Sequence, residues 1–171
     1  MSRNERLIFR SERLVYKAVE NTTEDKAVLS SLIHTDADGL ANVATRLSRS
    51  FNTADALKYL PDVDAQLLFV KACLPSTETA EDGSTKEKLT PIGIMLLDGA
   101  ASPTRHNRTS TVGITFGRQW QGQGYGTEGL NWLLDWGFRV ANLHSIRLIA
   151  YSHNHRAIKF YESLGFHKDG I

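Results

Sequence analysis

The sequence has little cysteine and no long hydrophobic run. Cys73 is its only cysteine, so an internal disulfide is impossible. Cys73 lies in the apolar segment 67–74, where a buried, inert thiol is favoured over a nucleophile. The longest apolar stretch is 92–97, whereas a bilayer-spanning helix needs about 20 residues. A membrane span is therefore not expected.

The sequence also lacks an excess of charge of either sign. Its 20 lysines and arginines nearly balance its 19 aspartates and glutamates, which leaves a net charge of +1. Nucleic-acid and membrane-surface partners require a strongly basic surface, so neither is expected. The start of the chain is charged and no apolar segment follows it, which predicts no secretory signal and a cytoplasmic protein.

The chain is predicted to form one domain, residues 1–171, because 41% of its residues are hydrophobic, enough for a single core. Alternating or apolar patterns predict strands in four segments: 13–19, 67–74, 92–97 and 111–116. Thr23 begins a predicted helix that ends near His34, and further short helices are predicted at 42–47 and 53–59. The polar stretch 75–90 is predicted to be a solvated loop.

The last third of the chain has the clearest periodicity. Apolar residues recur at helical spacing from Leu130 to Ala141, which predicts an amphipathic helix that begins near Thr127. A strand is predicted at 145–151. A second helix has an apolar face made of Ala157, Ile158, Tyr161 and Leu164. Gly165 fits the position just after that helix. The order of these elements indicates a mixed α/β (α+β) fold.

A glycine-rich loop, residues 121–127, lies between a predicted strand and a predicted helix. Glycines at alternate positions allow positive φ angles, so that successive N–H groups can point into one concavity. The start of the following helix adds unpaired N–H donors and partial positive charge. The loop therefore suits a phosphate or pyrophosphate, although a connector that needs glycine only to turn has the same composition.

Two other phosphate-binding loops fit less well. The P-loop requires Gly-Lys-Ser/Thr, which is absent. Residues 124–129 match the dinucleotide pattern G-x-G-x-x-G, but no acidic residue lies between Asp135 and Glu162, where the ribose contact is needed. Too few residues follow Gly129 for a doubly wound sheet. No metal is expected either, because neither His34, Asp36 and Asp38 nor His153 and His155 complete a ligand set.

Two motifs resemble one protein family. Gln121, Gly124 and Gly126 fit the acetyl-CoA motif Q/R-x-x-G-x-G/A of the GNAT acetyltransferases, and residues 154–166 resemble their block N-x-x-A-x-x-F-Y-x-x-x-G-F. The resemblance covers 111–166 and is strongest to the ribosomal-protein alanine acetyltransferase branch. It implies the GNAT fold, a mostly antiparallel central sheet flanked by helices, with a splayed strand pair that holds acetyl-CoA.

The resemblance also implies the residues that hold acetyl-CoA. The splayed strand would pair with the pantetheine arm through Ile114, Thr115, Phe116 and Gly117. The pyrophosphate would lie on Gln121, Gly122, Gln123, Gly124, Tyr125, Gly126 and Thr127. Asn154 would contact the cofactor arm, although an asparagine at this position also suits a helix N-cap.

Tyr161 is implied to be the catalytic acid, which protonates the leaving thiolate after a primary amine attacks the thioester. From periodicity alone Tyr161 would be a core aromatic. Many family members carry a carboxylate ahead of the position of Gly113, where this chain has Ser110, Thr111 and Val112. Deprotonation at pH 7 costs about 4.6 kcal/mol for a lysine amine and roughly 1 kcal/mol for an α-amine, so the missing carboxylate favours an α-amine acceptor. His153 is a candidate base.

The sequence departs from the family at its end. Members of the resembling branch continue past the Gly-Phe pair with another strand, whereas this sequence stops at Ile171. Either the domain lacks its last strand, or a partner supplies an equivalent edge, or the sequence is a shortened one. An open strand edge favours association, so a homodimer that covers it is predicted. The missing carboxylate and the short end also suit a second hypothesis, a non-catalytic acyl-CoA-binding or regulatory module of the same fold.

Overall fold

We describe a computed structural model of the chain, which covers residues 9–34, 62–79, 84–99 and 107–170. Its elements are, in order, β1 (Val15–Ala18), α1 (Thr23–His34), β2 (Gln66–Thr79), β3 (Thr85–Asp98), β4 (Thr109–Phe116), α2 (Tyr125–Asp135), β5 (Ser145–Arg147) and α3 (His155–Ser163). Short 3-10 turns lie at Val63–Ala65 and Arg118–Trp120, and a π-helical turn, Trp136–Val140, follows α2. The helices predicted at 42–47 and 53–59 lie outside the described residues.

The strands form one sheet of five in the order β1-β2-β3-β4-β5. The first four pair antiparallel, and β5 pairs parallel to β4. The predicted mixed α/β fold with a mostly antiparallel sheet is confirmed. β5 lies at the edge of the sheet, where the homodimer predicted from the sequence stays a prediction.

Helices cover both faces of the sheet. On one face Met95 of β3 and Val112 of β4 pack with Leu130 and Leu133 of α2 in the larger core. On the other face α1 packs over a smaller cluster formed by Val19, Leu29 and Phe69. Strand side chains alternate between faces, so the central strands β2 and β3 supply residues to both cores. Each large side chain buried this way stabilises the fold by about 1.5–3 kcal/mol.

The helix predictions hold with small shifts at the ends. α1 begins at Thr23 and ends at His34, as predicted, and the Thr22 hydroxyl accepts from the Asp25 N–H near its start. α2 begins at Tyr125, two residues before the predicted start. Gly165 follows α3 with a φ of +88°. In the part of the chain that the structure describes, no helix is long and apolar enough to cross a membrane.

The prediction of a loop at 75–90 is wrong for most of that stretch. β2 and β3 are 14 residues long each and stay paired out to Thr79 and Thr85. The outer half of this hairpin is exposed, and Lys88 forms an ion pair with Glu78 across it. Exposed strands need no apolar alternation, and cross-strand threonine and opposite-charge pairs stabilise them instead. The polar composition of residues 75–90 therefore correctly indicates that the outer half of the hairpin is exposed. It does not indicate that the backbone pairs as two strands.

The predicted strand 145–151 is also corrected. β5 ends at Arg147, and residues 148–151 leave the sheet. Ile149, whose side chain is 85% exposed, lies in the segment that leaves. The apolar pattern of this stretch was typical of a strand, but a strand also needs a neighbour at pairing distance. β4 diverges from this segment, so the pairing stops.

Phe116 of β4 fills a space that two glycines leave open. A Cβ atom on Gly93 of β3 would lie 2.6 Å from the Phe116 ring, and one on Gly129 of α2 would lie 3.3 Å from it. The first distance is far shorter than a van der Waals contact, so a side chain at position 93 requires the ring to move. The ring thus joins β3, β4 and α2 immediately beside the glycine-rich loop.

A buried ion pair attaches α1 to the sheet. The Asp25 side chain is almost fully buried and accepts from Lys71 of β2 and from the backbone N–H of Glu20. Burial alone would raise the pKa of the Asp25 carboxyl, but these two hydrogen bonds outweigh it and hold the pKa below its ordinary value. The pair therefore stabilises the ionised form of Asp25 under α1.

We expect Lys71→Met to destabilise the protein by about 1–3 kcal/mol, because it leaves the buried Asp25 carboxylate without its cation. Chemical denaturation of the two proteins gives this difference. Lys88→Met is the matched control, since it removes the cation of the exposed Glu78 pair and should change the free energy of unfolding by less than about 1 kcal/mol. Equal effects of the two substitutions would contradict a stabilising role for the buried pair.

Candidate active site

β4 and β5 separate after three paired positions. The paired positions run from Thr109 opposite Ser145 to Thr111 opposite Arg147. Beyond them β4 continues to Phe116, whereas residues 148–151 lie outside the sheet. A gap therefore opens between the second half of β4 and the segment after β5. This is the splay that the family resemblance implies.

Backbone groups of two β4 residues point into this gap. The Gly117 N–H donates to the Ile92 carbonyl at 3.0 Å, and Thr115 pairs with Ile94 in the same register. Hydrogen-bonded and non-hydrogen-bonded residue pairs alternate along an antiparallel ladder. Thr115 and Gly117 are in hydrogen-bonded pairs, so the backbone N–H and C=O groups of Thr115 and the N–H of Gly117 point toward β3. Ile114 and Phe116 turn theirs the other way, toward the gap. These two residues are therefore the ones placed to pair with a ligand there.

The glycine-rich loop has the positive φ angles predicted for it. Gly122 has φ +75° and Gly124 φ +83°, in the left-handed region that other residues rarely adopt. The side chain of Gln121 donates to the Phe116 carbonyl at 2.9 Å, which ties the loop to the end of β4. The side chain of Gln123 donates to the Gln119 carbonyl at 2.8 Å. Both glutamines of the loop thus hold its shape.

The loop leads directly into the first turn of α2. Gly124 is the N-cap residue and provides no side-chain cap, and Tyr125, Gly126 and Thr127 form the first turn. The N–H groups of a first helical turn have no partner within the helix. With no capping side chain they remain open to an anion, which the helix dipole also favours. The loop and the helix start together offer backbone N–H donors to an anion.

Arg13, which the sequence analysis did not single out, contacts this loop. Its guanidinium donates to the Gln123 carbonyl at 3.1 Å and lies 4.5 Å from the centre of the Tyr125 ring. Its Nε donates to Glu128 of α2 at 2.7 Å. Arg13 and Gln123 are 110 positions apart, and no local pattern links residues so distant. A plain arginine before the first strand gave no signal of this contact.

Glu128 is held by the same segment of chain. Its carboxylate accepts from the Ser11 hydroxyl at 2.7 Å and from the Arg13 backbone N–H at 2.6 Å. Burial would raise the pKa of the Glu128 carboxyl, but the hydrogen bonds from Ser11 and Arg13 outweigh it and hold the pKa below its ordinary value. Glu128 is therefore ionised at neutral pH and pairs with Arg13.

Tyr161 lies on α3 among aromatic rings. Its ring centre is 5.2 Å from that of Phe160 and 6.0 Å from that of Phe166. Burial raises the pKa of Tyr161, so the phenol keeps its proton at neutral pH. Among the described residues no buried polar side-chain atom lacks a partner, and none of these residues bonds the Tyr161 hydroxyl. The structure thus holds the Tyr161 ring in place and leaves its hydroxyl without a hydrogen bond to the described residues.

α3 also packs against the start of α2. A Cβ atom on Gly126 would lie 3.5 Å from the Phe160 ring, an ordinary contact distance. The residue next to Tyr161 in sequence thus touches the helix turn that follows the loop. The fold brings the two sequence motifs, 121–127 and 154–166, to the same side of the sheet.

Asn154 caps α3, which confirms the N-cap interpretation of this residue. Its side-chain oxygen accepts from the Ala157 N–H at 3.1 Å. The amide nitrogen of the same side chain makes no hydrogen bond within the described residues. The contact with a cofactor arm that the resemblance implies uses this second group, and it stays a prediction.

Positions 110–112, where many family members carry a carboxylate, have no carboxylate side chain in this protein. Ser110 is buried, and its hydroxyl donates to the Asp98 carbonyl. The side chain of His153 is exposed in the loop before α3, with its ring centre 5.5 Å from that of Tyr151. Cys73 is buried, and burial raises the pKa of its thiol to about 11. The predicted burial of this thiol is therefore confirmed, and its inertness stays a prediction.

Comparison with known proteins points to one family. Residues 28–167 match the sequence profile of the acetyltransferase (GNAT) domain. Spermidine N(1)-acetyltransferase of Escherichia coli (strain K12) is 34% identical over 64 residues, which are 37% of this chain and 34% of that protein. The matched segments span less than half the length of the curated relatives.

Solved structures share the fold at low sequence identity. Spermidine N-acetyltransferase from Vibrio cholerae, in complex with CoA and spermine, has a TM-score of 0.65 and 23% identity over 94% of this chain and 84% of that chain. Ribosomal-protein-S5-alanine acetyltransferase from Vibrio fischeri has a TM-score of 0.64 and 19% identity over 95% of this chain and 84% of that chain. The TM-scores establish a common fold, and identities this low establish nothing beyond the fold.

Proposed function

Since the chain belongs to the GNAT acetyltransferase family, whose domain profile residues 28–167 match, we propose that it transfers an acetyl group from acetyl-CoA to a primary amine. One observation supports this function above the others. The open gap beside β4 ends at a glycine-rich loop whose helix turn lacks a capping side chain. Such a site offers backbone pairing to an extended arm and N–H donors to a pyrophosphate.

The binding roles follow from this arrangement. The backbone of Ile114 and the N–H of Phe116 would pair with the pantetheine arm, since the Phe116 carbonyl already accepts from Gln121. Thr115 and Gly117 would not pair with the arm directly, because their backbone groups are hydrogen-bonded to β3. They would fix the backbone conformation at the end of β4. The loop would hold the pyrophosphate through its N–H groups. The amide nitrogen of the Asn154 side chain would donate a hydrogen bond to the cofactor arm.

Acetyl-CoA supplies a thioester carbonyl, and the chain supplies the proton for its leaving group. A neutral amine attacks the carbonyl carbon, so that a C–N bond forms and the C–S bond breaks. Tyr161 donates its phenolic proton to the departing sulfur, and the proton lost by the amine returns through solvent to the phenolate. A phenol of pKa about 10 is protonated at neutral pH and can donate its proton to a thiolate whose acid has a pKa of about 8.5 when it lies within hydrogen-bond reach.

The acceptor we propose is a small or N-terminal primary amine. One relative is named for spermidine, and a structural neighbour for an alanine of ribosomal protein S5. Within the described residues, positions 110–112 lack the carboxylate that would deprotonate an ordinary alkylamine. This favours an α-amine, which costs only about 1 kcal/mol to deprotonate at pH 7.

We expect free thiol to be released from acetyl-CoA when spermidine, spermine or a peptide with an N-terminal alanine is added to the protein. Thiol release measured for each amine, with mass spectrometry of the product, checks this. The same peptide with a blocked N-terminus is the control and should give only background release. Tight CoA binding without turnover of any amine would favour the non-catalytic module, and absence of CoA binding would contradict the proposed function altogether.

A further inference from the structure

Arg13 contacts the proposed pyrophosphate loop although it lies in the segment before β1. The guanidinium reaches the Gln123 carbonyl with one nitrogen and Glu128 with another. The planar, forked guanidinium makes both bonds at once from different nitrogens in a fixed geometry. The contact thus joins three parts of the chain, namely the segment before β1, the loop and the first turns of α2.

The bond to Gln123 sets the direction of a peptide group. In a trans peptide the carbonyl of one residue and the N–H of the next point in opposite directions. Because Arg13 holds the Gln123 carbonyl on its own side, the Gly124 N–H points to the opposite side of the loop. A flipped peptide would instead turn a carbonyl oxygen toward a bound phosphate, and the two would repel. We infer that Arg13 is a positioning residue that keeps the Gly124 N–H directed at the pyrophosphate.

Glu128 makes direct charge attraction a poorer explanation of the same contact. Its carboxylate lies 2.7 Å from the Arg13 Nε and neutralises much of the guanidinium charge. It is fixed in turn by Ser11 and by the Arg13 backbone. An arginine recruited to attract phosphate would not be paired so closely with a carboxylate. Arg13 and Glu128 form an ion pair that orients backbone donors of the loop, and we call this pair the bracket.

Gly124 fits this role from the other side. A Cβ atom at this position would lie 3.2 Å from the Arg13 Nη2, so a side chain would press on the guanidinium. The left-handed conformation of Gly124 and the approach of Arg13 therefore require the same glycine. The loop motif and the bracket form one structural unit.

This inference depends on the proposed function, and the test separates the two. We expect Arg13→Met to weaken CoA binding about tenfold, measured by calorimetry, because one aligned charge-assisted hydrogen bond no longer orients the loop. The KM for acetyl-CoA should rise by a similar factor with kcat nearly unchanged. Arg13→Lys should recover part of the loss, since it keeps a donor but not the fork.

A shortened donor provides the readout that a general structural role would not reproduce. S-acetylpantetheine lacks the pyrophosphate, so its kcat/KM should be nearly the same in Arg13→Met and in the unaltered protein. Arg10→Met is the matched control, because Arg10 precedes the same strand but pairs with Glu87 of the outer hairpin. It should leave CoA affinity unchanged.

Equal CoA affinity in folded Arg13→Met and in the unaltered protein would overturn the inference, and so would an equal loss with S-acetylpantetheine. If Arg13→Met does not fold, Glu128→Gln provides the second test, since it weakens the hold on Arg13 and should reduce CoA affinity in the same direction. Failure of the unaltered protein to bind CoA would overturn the proposed function and this inference together.

Discussion

Tyr161→Phe is expected to lower kcat by about two to four orders of magnitude, the usual contribution of a positioned general acid. The substitution keeps the ring and its contacts with Phe160 and Phe166 and deletes only the hydroxyl. That hydroxyl bonds none of the described residues, so its loss should cost the folded state little. Steady-state kinetics at saturating acetyl-CoA measures the effect.

Two controls separate chemistry from packing in this experiment. CoA affinity and thermal stability of Tyr161→Phe should match those of the unaltered protein. Tyr16→Phe should behave in the opposite way, because Tyr16 is buried and shares a 2.8 Å hydrogen bond with Ser11. Its loss should reduce stability by about 1 kcal/mol and leave kcat nearly unchanged. A Tyr161→Phe protein with full kcat would show that Tyr161 is a core aromatic only.

Gly124→Val should abolish most of the CoA affinity. A β-branched residue resists the φ of +83° found at this position, so the loop must rearrange. Loss of two N–H donors to a charged phosphate, each contributing about 1.5 kcal/mol, would weaken binding about a hundredfold. The new side chain would act through the backbone and Arg13, because its Cβ points at the guanidinium. Calorimetry with CoA measures the loss.

Gly165→Val is the matched control for this substitution. Gly165 also has a positive φ, +88°, but a Cβ atom there would meet nothing within 4 Å. Both variants therefore impose comparable backbone strain, but Gly165 follows α3 and lies outside the loop proposed to hold the pyrophosphate. CoA affinity should fall much less for Gly165→Val. A folded Gly124→Val protein that binds CoA normally would mean that the cofactor lies elsewhere.

Elements with a local chemical cause could be predicted from the sequence. Thr23 and the acidic residues after it indicated where α1 begins, and Gly165 indicated where α3 ends. The loop glycines indicated positive φ angles, since only glycine adopts them at little cost. Each of these signals concerns residues within a few positions of one another, which is why sequence reasoning reached them.

Features that depend on distant partners could not be predicted. The sequence of the outer hairpin predicts a loop, because it lacks the apolar alternation of a half-buried strand. Its two strands are stabilised by pairing with each other and not by an apolar face. β5 was predicted too long, because its apolar residues cannot report that β4 diverges. The contact between Arg13 and Gln123 joins two segments that have no pattern in common. In each case a second segment, unknown beforehand, decides the outcome.

The packing of Phe116 between Gly93 and Gly129 has a consequence for how this protein can change by mutation. A Cβ atom at position 93 would lie 2.6 Å from the ring, so a mutation there is tolerated only where residue 116 has already become smaller. That order passes through an intermediate with a cavity beside the splayed strand, whereas the reverse order passes through a clash with the Phe116 ring. Positions 93 and 116 are therefore epistatic, and the order of their substitutions decides which descendants retain a usable gap next to β4.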